Sequence, residues 1–113
     1  MSRRIQKVAE LLHELLAELI KENLSEELGL VTLIAVDVSD NLKEATVYIS
    51  CYDKSSEEEI LRTLEKQARN FQHQLGRQLT MKFTPRLTFR IDQGLEKINR
   101  IEEILNEIKN NGS

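Results

Sequence analysis

Residues 30–52 read LVTLIAVDVSDNLKEATVYISCY, and this stretch decides the fold of the chain. Two runs of alternating apolar and other residues, 30–39 and 44–52, flank a short link that contains Asp40 and Asn41. A period of two indicates strands, and Asp and Asn favour the turn between them. We therefore predict an antiparallel hairpin with one apolar face and one face that can meet water. In its first strand, one face carries Thr32, Ile34, Val36 and Val38, and the other carries Leu33, Ala35 and Asp37.

Helical periodicity flanks this hairpin on both sides. Apolar residues recur at spacings of three and four over residues 4–23, and again from Ile60 to Leu79. Ser56 and Glu59 form a Ser-x-x-Glu capping box at the start of the second helix, whose first turn is favourably acidic. Its apolar stripe is unbroken and contains no proline, so the periodicity alone permits one helix of about six turns.

A third strand follows Pro85, with Leu87, Phe89 and Ile91 facing inward, and a last helix follows Gly94. The order is helix, strand, strand, helix, strand, helix. It predicts an α+β sandwich of two layers, in which helices cover one face of a three-stranded sheet. We take residues 1–113 as a single domain, with about 1–3 and 110–113 frayed.

Charge is distributed unevenly along the chain. The net charge is -3, but the window from Arg62 to Arg90 holds seven basic residues and one acid, a net +6. The remaining 9 basic and 18 acidic residues carry -9. Such a polarised molecule is suited to a polyanionic partner despite its acidic total.

The central helix carries the basic side chains on one stripe. Their spacings of four, three, four and four place them on one helix face, roughly opposite the apolar stripe. We call these residues the basic stripe: Arg62, Lys66, Arg69, His73 and Arg77. Any surface helix has a polar outer face, but such faces usually mix acids with bases. The one-sided sign favours nucleic-acid binding over a merely solvated face.

Other basic residues have simpler explanations at this stage. Arg86 and Arg90 lie on the outward face of the third strand, where a solvated sheet face is the expected role and no surface need be shared with the stripe. The N-terminal residues either extend a basic surface or belong to a frayed terminus; they are Arg3, Arg4 and Lys7.

Sequence patterns for catalysis or membrane insertion are missing. His13 and His73 lack partners at metal-ligand spacing, and no glycine-rich phosphate loop occurs, so we expect no metal and no cofactor. Cys51 lies on the apolar face of a strand, where a core role is the usual one. No run approaches the 18 or so apolar residues of a membrane helix. These features together predict a cytoplasmic protein that is not an enzyme.

Four segments resemble the ribosome-binding factor A family, whose fold is that of a type II KH domain. They are GLVT (29–32), VDVSDNL (36–42), ATVYIS (45–50), and Ala68 through Gly76 followed by PRLTF (85–89). The resemblance spans about residues 5–105. It implies that the central helix is kinked at Ala68, as two helices, where an ordinary KH domain has its Gly-x-x-Gly loop. In KH domains that loop clamps the nucleic-acid backbone.

The resemblance also implies a function. The family binds the free small ribosomal subunit late in its assembly, near the ends of its ribosomal RNA, and aids rRNA processing and growth in the cold. The leading hypothesis is therefore an RNA-binding assembly factor that binds through the basic side of the central helix; the predicted RNA-binding residues are Arg62, Lys66, Arg69, Asn70, His73, Arg77 and Lys82. A monomer is the default expectation.

This chain departs from the family pattern at two places, and both affect what the resemblance implies. The family usually has Ala-x-Gly at the kink, where this chain has Asn70; asparagine tolerates a positive φ better than most residues. Residues 25–27, Ser-Glu-Glu, replace a frequent Asp-Pro-Arg, so a basic contact there is lost.

A rival hypothesis is a protein-interaction module whose basic stripe docks on an acidic partner.

Overall fold

The structure, a computed structural model, describes residues 3–24 and 31–92. Its elements follow the predicted order as far as the third strand. They are α1 (Arg3–Asn23), β1 (Val31–Val38), β2 (Glu44–Cys51), a 3-10 helix (Lys54–Ser56), α2 (Glu57–Gln78) and β3 (Arg86–Ile91). The expected last helix after Gly94 lies outside the described residues. None of the described helices is long and apolar enough to cross a membrane.

The three strands form one sheet in the order β1-β2-β3. β1 and β2 pair antiparallel, which confirms the hairpin. β2 and β3 pair parallel, with α2 as the connection between them. A parallel neighbour cannot be reached by a tight turn, so the helix is a requirement of this topology. In this order β3 lies at one edge of the sheet. Its position places it beside the candidate site.

A bulge at Ile34 corrects the predicted faces of β1. The pairing register shifts between Leu33 and Ala35, so Ile34 is an extra residue in β1. Before the bulge, Val31 and Leu33 lie opposite buried residues of β2; after it, Val36 and Val38 do so. An inserted residue reverses the alternation of a strand. The single alternating pattern predicted for residues 32–38 therefore does not hold across the bulge, because Leu33 lies on the same face as Val36 and Val38.

Both described helices pack against the sheet, α1 along β1 and α2 along β3. The core is apolar throughout, with no buried polar or charged residue in the part of the chain that the structure describes. At its centre Phe71 of α2 is 0% exposed. Its ring meets that of Phe89 edge to face, with ring centroids 6.2 Å apart. This contact fixes α2 over the edge strand.

The start of α2 differs from the predicted capping box. Ser56 has helical backbone angles, φ -93° and ψ -1°, and its side chain makes no capping hydrogen bond. Asp53 caps the preceding 3-10 helix instead, because its Oδ1 accepts from the Ser55 backbone N–H at 3.0 Å. Hydrogen bonds from Ser55, its hydroxyl foremost, hold the pKa of Asp53 below the ordinary value. The 3-10 turn thus leaves Ser56 in a helical geometry that is unsuited to an N-cap.

The helix α2 is continuous, which corrects the expectation of two helices. Its helical residues run without interruption through Ala68 to Gln78. Asn70 does not hold a positive φ; among the described residues other than glycine, only Leu42 does, at 61°. The physical reason is local, because residues 60–75 contain neither proline nor glycine and bury one unbroken apolar stripe. A bend at Ala68 that preserves helical geometry stays a prediction.

Asn70→Gly is expected to destabilise the protein by up to about 1 kcal/mol, because glycine is unfavourable inside a helix. The exposed Asn70 side chain contributes only a hydrogen bond to Gln67, from Nδ2 to Oε1 at 3.2 Å. Asn70→Ala is the matched control and is expected to be neutral or slightly stabilising. Urea denaturation of both variants measures the effect. Stabilisation by Asn70→Gly would contradict a regular helix at this position.

Candidate nucleic-acid interface

The basic stripe lies on the solvent side of α2, as its spacing predicts. All five of its side chains are exposed. The apolar residues of the opposite side are buried in the core; they are Ile60, Leu64, Phe71 and Leu75. Glu57, Glu58 and Glu59 form the acidic first turn, and Arg77 lies in the last turn. Acidic residues at the start of a helix and basic residues at its end interact favourably with the helix dipole. The charges at the two ends of α2 therefore have a structural explanation, whereas the basic residues in its middle do not.

The segment after α2 folds back along the helix and is held there at three points. Leu79 is buried, and its N–H donates to the Leu75 carbonyl at 2.8 Å. The Gln72 Nε2 donates to the Thr84 carbonyl at 3.1 Å. Pro85 is fully buried just before β3 begins. Residues 80–84 are therefore positioned beside the C-terminal half of α2.

Gly76 permits this close approach. A Cβ atom built on Gly76 would lie 2.9 Å from the Thr84 Oγ1, which is closer than a carbon and an oxygen approach without strain. The periodicity alone suggests only that Gly76 weakens the helix. The structure adds that it makes room for the returning segment, which is a typical use of glycine.

We expect Gly76→Ala to leave stability nearly unchanged, because a gain of up to about 1 kcal/mol in helix propensity is offset by displacement of Thr84. In a Thr84→Ala background the obstructing oxygen is absent, and the same change should stabilise by most of that amount. Urea denaturation of the wild type, both single variants and the double variant gives the coupling energy. A full gain from Gly76→Ala alone would show that the close approach costs nothing.

One groove forms between α2 and the returning segment, and we call it the Phe83 groove. Its lining includes four of the seven predicted RNA-binding residues, together with one aromatic ring: Arg69, His73, Arg77, Lys82 and Phe83. Lys82 lies five residues after Arg77 and outside α2, and the folding back of residues 80–84 brings it beside the stripe. The structure thus gathers positive charge from two segments around one concave surface.

A second groove, the edge groove, runs between α2 and β3. Ala68, Arg69 and the acidic Glu65 line it from the helix, and Arg86 and Thr88 line it from the strand. Arg86 therefore shares a groove with Arg69 of the basic stripe, which the sequence had left open. Because β3 is an edge strand covered by α2, a residue on its outward face can reach the same groove as the helix. The strand pattern placed Arg86 outward, but nothing local indicated that β3 would be at the edge.

The other sequence-predicted residues are not gathered in the same way. Arg62, Lys66 and Asn70 are exposed on α2 but line neither groove. Arg90 is exposed further along β3 and also lines neither. The N-terminal basic residues are exposed on α1, at the opposite side of the sheet order; they are Arg3, Arg4 and Lys7. Phe83 was missed by pattern analysis because an isolated aromatic residue in a loop carries no periodic signal.

Features that would favour an enzyme are weak in the described part of the chain. No three His, Cys, Asp or Glu residues there are arranged to hold a metal ion. Cys51 is buried, and this burial, with a smaller effect from Glu57, raises the pKa of its thiol. A thiol in that state is a poor nucleophile. His13 lines a separate hollow between α1 and β1, flanked by Glu10 and Glu14.

Comparison with known proteins places the chain in a family. A family model described as ribosome-binding factor A matches residues 4–105. Ribosome-binding factor A of Geobacter sulfurreducens is 35% identical over 111 residues, covering 96% of this chain and 94% of that protein. The crystal structure of ribosome-binding factor A from Thermus thermophilus matches with a TM-score of 0.69 and 30% identity, covering 77% of this chain and 94% of that one.

A second structural match concerns the same T. thermophilus factor, as a homology model fitted into the cryo-electron-microscopy map of a 30S complex of that factor. It has a TM-score of 0.64 and 32% identity, covering 73% of this chain and 88% of that one. These matches confirm the α+β fold expected from the resemblance. Since the family model and the relatives cover most of its length, the chain belongs to the ribosome-binding factor A family.

Proposed function

We propose that this protein is a non-enzymatic assembly factor that binds the free small ribosomal subunit and its ribosomal RNA during late maturation. Family membership supports the proposal, as does the 30S complex of the T. thermophilus relative. The single observation that carries it is the continuity of positive charge from Arg69 and Arg77 of α2 to Lys82 and Arg86. A shallow, mostly basic surface of this kind suits a phosphate backbone.

In this proposal the basic side chains position the protein and do not read sequence. Phosphate contacts fix register and orientation but carry no sequence information. Specificity would come from the shape of the immature particle. Arg62 and Lys66 would extend the contact along the exposed side of α2, outside the two grooves.

Co-sedimentation with purified small subunits and with complete ribosomes tests the proposal. We expect binding to the free small subunit and much weaker binding to complete ribosomes. Equal binding to both particles, or binding to neither, would refute it. Nuclease treatment of the bound fraction separates the rival protein-docking function, because an RNA contact should be lost and a protein contact should persist.

The finer parts of the proposal follow from the same role. The protein would act in the cytoplasm as a monomer, and its loss should slow growth most in the cold. Immature ends of the small-subunit RNA should then accumulate. Primer extension on RNA from a deletion strain measures this. Normal ends at low temperature would argue against a part in late maturation.

A further inference from the structure

Phe83 is a large aromatic residue that is exposed to solvent and lines a positively charged groove. Its side chain is 70% exposed. Arg69, His73, Arg77 and Lys82 line the same groove. The Lys82 Nζ lies 5.7 Å from the centroid of the Phe83 ring, within the range of a cation–π contact. The ring thus has one cation over one of its faces, and most of its surface is open.

The backbone that follows Phe83 is held in place. The next residue, Thr84, accepts a hydrogen bond from Gln72 through its carbonyl. Its hydroxyl also lies so close to Gly76 that a Cβ atom there would have to displace it. Pro85 is fully buried. A ring on such a restrained segment is pre-organised, so a ligand that packs on it need not order a loop first.

Exposure by itself would mean little, because single apolar residues are common on protein surfaces. Tyr52 is 86% exposed and Leu11 is 42% exposed, and neither lines the Phe83 groove. Phe83 differs from them in its surroundings. Bases of single-stranded nucleic acid stack on aromatic rings while a basic groove follows the backbone. Both features occur together only at Phe83 among these three exposed residues.

We propose that Phe83 is a stacking platform for one unpaired nucleobase of a single-stranded RNA segment whose phosphates lie along the Phe83 groove. The inference rests on the proposed function and deepens it, because it names the form of RNA that the site accepts. A base-paired helix keeps its bases stacked inside and offers no free face to the ring. The site therefore prefers unpaired over paired RNA.

Binding to a single-stranded oligoadenylate of about eight nucleotides, within the usual site size, tests the platform by fluorescence anisotropy. Phe83→Ala should weaken binding roughly 5- to 150-fold, the range that loss of one stacked base gives. Phe83→Tyr should restore it, and the matched control Tyr52→Ala should bind like the wild type. A duplex of the same length should bind wild type and Phe83→Ala equally. Equal oligoadenylate binding by Phe83→Ala and wild type would overturn the proposal.

A spectroscopic readout is independent of affinity. The chain contains no tryptophan, so Phe83→Trp introduces a single tryptophan at the proposed contact, which can be excited selectively over the two tyrosines. Saturating oligoadenylate should quench its emission, because the base stacks on the indole. Inorganic polyphosphate supplies the charge without bases and should leave the emission nearly unchanged. Equal quenching by both ligands, or by neither, would overturn a stacking contact.

The result with small subunits separates this inference from the proposed function. If Arg69→Glu with Arg77→Glu abolishes co-sedimentation but Phe83→Ala sediments and binds oligoadenylate like the wild type, stacking is overturned and the proposed function stands. If the wild type ignores small subunits but binds oligoadenylate through Phe83, the proposed function fails and the platform is supported. Binding to neither ligand by the wild type overturns both.

Discussion

Phe71→Ala is expected to destabilise the protein by about 3–5 kcal/mol, the usual cost of removing a buried phenylalanine. Phe71 is fully buried, and its ring is the contact that holds α2 against Phe89 of the edge strand. A protein of this size has a stability of roughly 5–15 kcal/mol, so the variant would lose a large fraction of it. Urea denaturation measures the change, provided that the m-value stays constant.

Phe83→Ala is the matched control for this experiment. It makes the same chemical change at a ring that is mostly exposed, so its effect on stability should lie within about 0.5 kcal/mol. A loss of less than about 1 kcal/mol at Phe71 would contradict the assigned core. Similar losses at the two positions would likewise contradict the burial that distinguishes them.

Arg69→Glu with Arg77→Glu is expected to weaken binding to the small subunit by at least on the order of 100-fold, from two lost charge-assisted contacts. Arg69 lines both grooves and Arg77 lines the Phe83 groove. Each lost phosphate contact should also lower the log-log salt slope by roughly 0.7 for a single strand. Titrations of labelled protein with small subunits at several salt concentrations give both quantities.

The fold should survive these two reversals, because both side chains are exposed. Arg77 lies in the last turn of α2, where a negative charge costs about 0.3–1 kcal/mol against the helix dipole. Lys21→Glu with Lys54→Glu is the matched control, since both lysines are exposed and line neither groove. It changes the net charge equally. Equal loss of binding in both double variants would point to overall charge, and retained binding in the arginine variant would exclude these grooves as the contact.

Much of the fold follows from local patterns. β2 and β3 alternate as their sequences predict, with Val47 and Phe89 buried and Arg90 exposed. The one-sided basic stripe also needed only helical spacing, because a regular helix places residues three and four apart on one face. Continuity of α2 is a case in which local physics was the better guide than the two-helix division implied by the resemblance.

The sequence-based predictions were wrong where the position of a residue depends on distant parts of the chain or on an unexpected local geometry. The bulge at Ile34 lets apolar residues before and after it face the same core, a demand set by the pairing with β2. Ser56 was misread because Asp53 starts a 3-10 turn ahead of the helix. Neither the bulge at Ile34 nor the 3-10 turn before Ser56 changes the periodic pattern of the sequence, so neither could be predicted from it.

By itself, the sequence determined the order of the described elements, the apolar faces of β2 and β3, and the exposed basic side of α2. Only the tertiary structure decided which of those cations share a surface. Arg86 joins Arg69 because β3 is the edge strand beneath α2. Lys82 and Phe83 lie beside the helix because Gln72 bonds the returning segment and Gly76 leaves room for it. Periodicity shows which face of its own helix or strand a residue occupies. A site built from three segments depends instead on how those elements pack together.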